Sequence, residues 1–337
     1  MTRFVMRRLL LMPVLLLGIV TLTFVVSRTV PADPLASIVG ERQLHNEQVV
    51  AAAKARWGLD KSLPEQYVIY VTNLLRGDLG TSFRTKSPVA DDLLRRLPAT
   101  LELTLAAMLF AVSVGVVLGM VAALKRDSWV DHVARLVALI GSSIPVFWAG
   151  LIALFIFYGK LGILPGPGRL DPQRNPPPEL TGLYTIDALV ALDFPLFWDA
   201  LRHLVLPGVV LGWLVLGIIS RLVRASLIEV LSQDYVRTAR AKGLTETRVI
   251  VTHALRGALI PVLTIIGLSF ASLIAGAVLT ESIFAWPGIG SYAVEAARTL
   301  DFPAIMGVSI FVGAAYIVTN LVTDVAYALV DPRVRLS

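Results

Sequence analysis

The chain has 337 residues, 56% of them hydrophobic and only 16% charged, with a mean hydropathy of +0.74. A water-soluble globule has no use for so much apolar chain, so the composition demands a membrane. The net charge of +6 then reads as a topology signal and not as nucleic-acid binding; the absence of cysteine excludes disulfides and cysteine-based metal or redox chemistry.

Six runs, at roughly 9–27, 101–124, 136–158, 204–220, 258–280 and 304–330, approach the ~20 residues that cross a bilayer as a helix. Backbone groups in lipid must bond internally and these runs exceed barrel strands. The fold class is therefore an all-α polytopic membrane protein with six transmembrane helices. Residues 1–30 hold the basic start, with Arg3, Arg7 and Arg8, and the first helix. That helix is long for a cleaved signal and lacks a small-x-small site before Arg28, which predicts an uncleaved span.

Residues 31–98 are too long for a plain connection and read as an extracytoplasmic cap. Within it Tyr67, Tyr70, Val71 and Leu74 share one helical face, Gly77-Asp-Leu-Gly80 forms a turn, and Ser87-Pro88 opens a helix carrying Leu93, Leu94 and Leu97. The cap either packs on the helix tops or docks a partner. Residues 99–337 make a five-helix core. There Gly115-x-x-x-Gly119 suits close helix packing, and Pro145 and Pro207 are either kinks beside a cavity or tolerated prolines. The outer loop 160–202, with Pro165-Gly-Pro-Gly168, Pro172 and Pro176-Pro-Pro178, reads as an irregular lid.

The most informative stretch is the polar island Arg221–Arg256, which overlaps a loop at 225–257. Asp234 is placed to cap a short helix that starts at Tyr235, Lys242 lies in its last turn and Gly243 takes the left-handed position after it. Thr245 then caps a second helix with Glu246 in its first turn, leading to Pro261. Ala239 and Ala241 keep the short helix slim enough for a partner to approach closely. Counting Lys and Arg in the short loops puts this island and both termini on the cytoplasmic side.

Asp234-Tyr-Val-Arg-Thr-Ala-Arg-Ala-Lys-Gly243-Leu, with Arg248-Val-Ile and His253-Ala-Leu-Arg, resembles the cytoplasmic coupling loop of ABC importer permeases, most nearly the dipeptide/oligopeptide/nickel class. The broad motif of those permeases opens Glu-Ala-Ala. Here Arg237, Thr238 and Ala239 stand in those places, the form usual in the peptide class, and the motif glycine falls on Gly243. Further landmarks are Gly77-Asp-Leu-Gly80, Leu97-Pro-Ala-Thr-Leu-Glu102, Ile144-Pro-Val-Phe-Trp148, Leu279-Thr-Glu-Ser-Ile-Phe-Ala-Trp-Pro-Gly288 and Asp331-Pro-Arg333, so the resemblance runs almost end to end. It implies a type I importer transmembrane domain of the first-subunit kind in a bacterial cytoplasmic (inner) membrane. Its implied partners are a second homologous permease subunit, two ABC ATPase subunits that carry the ATP and Mg, and an extracytoplasmic substrate-binding protein. Peptide is the implied solute, with nickel complexes, haem or another small solute as alternatives. The residues implied to couple to the ATPases are Asp234, Tyr235, Arg237, Thr238, Ala239, Arg240, Ala241, Lys242 and Gly243.

Catalytic signatures are missing from the sequence. The only Gly-Lys pair, Gly159-Lys160, lacks the upstream glycine of a Walker A loop, and neither His-Glu-x-x-His nor Gly-x-Ser-x-Gly occurs. No cofactor or metal is expected in this chain, since His45, His132, His203 and His253 are scattered. Asn320 and Asp324, one turn apart in the last span, either line the pathway or pair structurally with Arg221 or Arg224, which is the preferred reading. Glu281 and Glu102, at the outer boundary, are expected to be solvated or capping. A proton-driven carrier would want ionisable groups in mid-membrane, where this chain has none. A membrane enzyme would need a catalytic set.

Overall fold

A computed structural model describes residues 2–29, 45–57 and 60–330. Among them the regular elements are helical. Four helices are each long and apolar enough to cross a membrane, and two bent pairs complete the six expected spans. They are α1 (Thr2–Thr29), α4 (Val89–Leu124), α8 (Phe194–Leu231) and α15 (Phe302–Val330). The third span is broken into α5 (Trp129–Ser143) and α6 (Val146–Ala153), the latter continuing as a π-helical turn over Leu154–Lys160. Pro145 stands at the break, where the chain bends by 105°. Proline cannot donate the hydrogen bond the helix needs there and biases Ile144 to extended backbone (ψ 129). Pro207, by contrast, is carried inside α8 without a break.

At 38 residues, α8 is about 57 Å long at 1.5 Å per residue, longer than the bilayer core, so it extends beyond the lipid. It is the central helix, buried around most of its circumference and crossing α4 over the largest interface. Lipid supplies no hydrophobic drive between helices, so this contact depends on close packing. Small residues make it possible. A Cβ on Gly119 would sit 2.5 Å from the Ser220 carbonyl oxygen, and one on Gly212 would sit 2.4 Å from that of Ala107. The expected role of the Gly115–Gly119 pair is therefore met on α8, and Leu103, Ala107, Ala111, Leu211, Val215 and Ile219 fill the seam.

The cap and the lid depart from expectation in two places. The cap helix opened by Pro88 does not stop at residue 98 but runs on through Pro98 into the second span as one helix. A domain boundary there cuts a continuous rod. The irregular lid holds over residues 161–183, but α7 (Tyr184–Val190) and the first turns of α8 follow within the same loop. The cap, which begins with α2 (Glu47–Trp57), packs downward onto the spans, the first of the two roles expected for it. In α3 (Leu63–Leu75), Tyr67 and Tyr70 lie on Phe24 of α1, with ring centroids 5.3 and 6.0 Å apart, and the Tyr67 hydroxyl meets Thr21 Oγ1 at 2.7 Å.

The two boundary acids were expected to be solvated or capping: neither is solvated, and both cap, each accepting a backbone N–H from the first turn of another helix, Thr185 of α7 and Ser291 of α14 (Ile289–Arg298). Glu102 is buried and accepts hydrogen bonds from Arg169 (2.6 Å) and from the Thr185 backbone and hydroxyl (2.8 and 2.7 Å). Arg169 stacks 3.5 Å from the Tyr184 ring centroid, tying the lid to α4. Glu281, in α13 (Val278–Ile283), is fully buried and accepts from Thr100 Oγ1 at 2.7 Å and Ser291 N at 2.9 Å. The backbone of Gly288 lies against its carboxylate so tightly that any Cβ there would fall within 2.4 Å. Desolvated acids persist only when fully hydrogen-bonded, so these are structural knots.

Candidate functional site

The C-terminal end of α8 carries the polar island. After Leu231 the chain turns into α9 (Asp234–Ala241), passes Gly243, and enters α10 (Glu246–Arg248), a π-helical turn (Val249–Ala254) and α11 (Leu255–Ala258). The fifth span completes as α12 (Ile260–Gly276), bent 55° from that arm. Two local expectations shift by one residue. The helix begins at Asp234, with Gln233 in the capping place, and Lys242 is the C-cap. Asp234 in the first turn still favours the positive helix end. Gly243 has φ +76°, with nothing within 4 Å of where a Cβ would be, so glycine is needed there for its backbone conformation and not for space. Thr245 holds the N-cap position with extended backbone, but its side chain makes no capping bond.

One face of α9 is committed to its own chain. Val236 and Ala239 are buried with Leu227 of α8, Ala123 of α4, and Val249, Ala254 and Ala258 of the following arm. Ala239 is therefore not a slim face offered to a partner. It is the foot by which α9 stands on the bundle, and this corrects its expected role. The outward face carries Asp234, Tyr235, Arg237, Thr238, Arg240, Ala241, Lys242 and Gly243, all exposed. Its side-chain bonds are local. Arg237 reaches Asp234 at 3.4 Å, Thr238 donates to the Asp234 carbonyl at 2.9 Å, and Arg240 makes a two-pronged pair with Glu246 (3.1 and 2.7 Å). That pair holds the Glu246 carboxyl below its usual range. The Tyr235 ring leans over Gly257, whose Cβ would lie 2.8 Å from the phenolic oxygen.

Nearby, Arg224 of α8 pairs with fully buried Asp131 of α5 at 2.8 and 2.6 Å, and Arg221 donates to Ser142 Oγ at 3.0 Å. These are the arginines expected to serve Asn320 and Asp324; among the described residues neither is bonded to Asn320. The Asn320 Oδ1 atom is buried without a partner among the described residues, and the Asp324 side chain lies outside them. The Asp131–Arg224 pair went unforeseen because its members are 93 residues apart. A lone acid in the otherwise apolar face of α5 was its only signal. No cluster of three or more His, Asp or Glu side chains suited to a metal occurs among the described residues.

Residues 115–336 match the family described as binding-protein-dependent transport system inner membrane component, and residues 1–104 match its N-terminal companion. The di/tripeptide transport system permease protein DppB of Pseudomonas aeruginosa is 47% identical over 335 residues, covering 99% of both chains. The probable D,D-dipeptide transport system permease protein DdpB of Escherichia coli is 44% identical over 317 residues, 94% of this chain and 93% of that protein. Among solved structures, an inward-facing MetNI methionine ABC transporter chain superposes with a TM-score of 0.51 at 14% identity, over 71% of this chain and 96% of the other. That likeness is one of fold.

Proposed function

Since this chain belongs to the family of binding-protein-dependent transport inner membrane components, we propose that it is a permease subunit of an ATP-driven peptide importer and takes its power stroke through residues 234–243. Full-length relatives named for dipeptide and di/tripeptide transport support peptide as the solute. The family supports an extracytoplasmic binding protein and ATPase subunits as partners. We assign a second homologous permease and two ATPases to complete the assembly. Both termini and the island face the cytoplasm, and ATP and Mg are held by the ATPases.

The observation that carries this reading is the division of α9 into two faces. The inner face is buried against α4, α8 and the arm to the fifth span, while the outer face is a charged surface bonded only within the island. A helix seated in a groove of an ATPase is a short rigid lever. Force applied to the exposed face passes through Val236 and Ala239 into the longest helix of the bundle. Nucleotide then drives the cycle only if the ATPases bind it better in one orientation of that lever than in the other. Glu102, Glu281 and Asp131, buried acids near the ends of the spans, are each tied to a fixed structural partner, which does not suit a proton relay.

Affinity purification from native membranes tests the reading. ATPase, second-permease and binding-protein partners are expected with the chain. Vesicles holding the assembly are expected to accumulate labelled dipeptides only with ATP. Purification without ATPases rejects the importer, and accumulation of nickel complexes or haem in place of dipeptides rejects the solute.

A further inference from the structure

Gly243 is the joint between the lever and its arm, and a side chain there would meet nothing within 4 Å. Beneath the joint, Val236, Ala239 and Leu244 share one buried cluster with Val249 and Ala254 of the arm. Lever and arm are thus packed together on their inner side alone. No residue of α10 is buried, and the Thr245 side chain makes no cap. Across this joint Arg240, in the last turn of α9, sets both prongs of its guanidinium on the Glu246 carboxylate, Nε to Oε2 at 3.1 Å and Nη2 to Oε1 at 2.7 Å.

We propose that Arg240 and Glu246 are a positioning pair for transport: a two-pronged clasp that fixes the lever to the arm so that both turn as one body. A planar fork on a carboxylate restricts orientation as well as distance, which a single charge–charge contact does not. The clasp lies just before the π-helical turn Val249–Ala254, a strained form of helix that often marks functional sites. The buried cluster joins lever and arm on the inner side; the clasp adds a second attachment on the exposed side, which resists tilting of α9 about that cluster when force arrives at Tyr235 and Arg237. The clasp rests on the reading that α9 receives force from an ATPase, and it assigns Arg240 a partner within the chain, not one across the interface.

The test uses the assembled transporter in vesicles, with uptake of a labelled dipeptide accepted by the wild type measured per ATP hydrolysed. Glu246→Arg, outside residues 234–243, is expected to assemble with the ATPases and hydrolyse ATP while uptake per ATP falls about fivefold, the upper reach of an exposed pair turned repulsive; Arg240→Glu, read as uptake per ATP in the assembled fraction, is expected to fall as far. Arg240→Lys, which keeps the charge but loses the fork, should fall between. The double exchange Arg240→Glu with Glu246→Arg restores the ratio to within about twofold. Unchanged ratios in both single variants overturn the proposal. So does a double variant no better than the worse single one, because Arg240 would then be meeting the ATPase directly. A wild-type chain that neither binds ATPases nor couples ATP to uptake removes the importer reading itself, a different result from the failure of the exchange alone.

Discussion

At Gly243 backbone conformation can be separated from space. Its φ of +76° is left-handed, and a Cβ would meet nothing within 4 Å. Substitution there costs conformation alone, with no collision. An ordinary L-residue pays about 1–2 kcal/mol in this region and a β-branched one more, while asparagine is several-fold enriched there. The expected order of transport is therefore Gly, then Asn, then Ala, then Val. It follows tolerance of positive φ and not side-chain size, since Asn is larger than Ala. A cost of about 1 kcal/mol for Ala corresponds to about fivefold in an equilibrium. The strain is relieved as φ returns to negative values, which swings α10 away from α9. Uptake by Gly243→Ala should accordingly fall several-fold and that by Gly243→Val should be lost, with Gly243→Asn near normal. Membrane insertion should be unchanged throughout, because no span is altered. The assay is ATP-dependent dipeptide uptake at matched permease levels. An order that follows volume, with Asn worse than Ala, would refute the reasoning and put a closely approaching partner at the turn.

Ala239→Asp places an unpartnered charge inside the cluster of Leu227, Val236 and Val249, costing several kcal/mol; folded protein should drop on detergent size-exclusion, whereas exposed Ala241→Asp should leave folding intact. Gly119→Val forces a side chain into the Ser220 carbonyl, 2.5 Å from its Cβ, and should destabilise the α4–α8 crossing by at least the ~1–3 kcal/mol of an overpacked core, read as a lower melting temperature. Arg224→Ala leaves fully buried Asp131 with the Asp127 backbone N–H, at 3.1 Å, and Arg135, at 3.3 Å, as its remaining carboxylate partners. A loss near the lower end of the usual range, about 3 kcal/mol, is expected in the same melting assay, and a neutral result would show that the pair carries no structural load.

The spans, the short helix and the left-handed glycine were legible in sequence because each rests on local chemistry: apolar length, turn residues and the steric freedom of glycine. The direction of Ala239 was not. Small residues suit both a partner's approach and a tight intramolecular foot, and only the placement of Leu227 and Val249 decides between them. Long-range ion pairs were equally hidden. Glu102 meets Arg169 across 67 residues and Asp131 meets Arg224 across 93, so nothing local announces either. Glu281 carried a partial signal, an acid at the end of an apolar run followed seven residues later by Gly288, whose missing side chain makes room for the carboxylate. A kink at Pro145 was one of two readings left open, and its 105° angle depends on how α6 packs against α8 and α13.

The central claim is that the polar island faces the cytoplasm and is covered by ATPases. The native chain has no cysteine, so single cysteines at Thr245, exposed in the coupling turn, and at Glu179, exposed in the lid, react with an impermeant thiol reagent without background. Glu179→Cys should label in intact spheroplasts. Thr245→Cys should label only in inverted vesicles, and there more slowly when the ATPases are bound than after they are stripped. Labelling of Thr245→Cys from outside the spheroplast would put the island beyond the reach of any cytoplasmic ATPase and contradict the account.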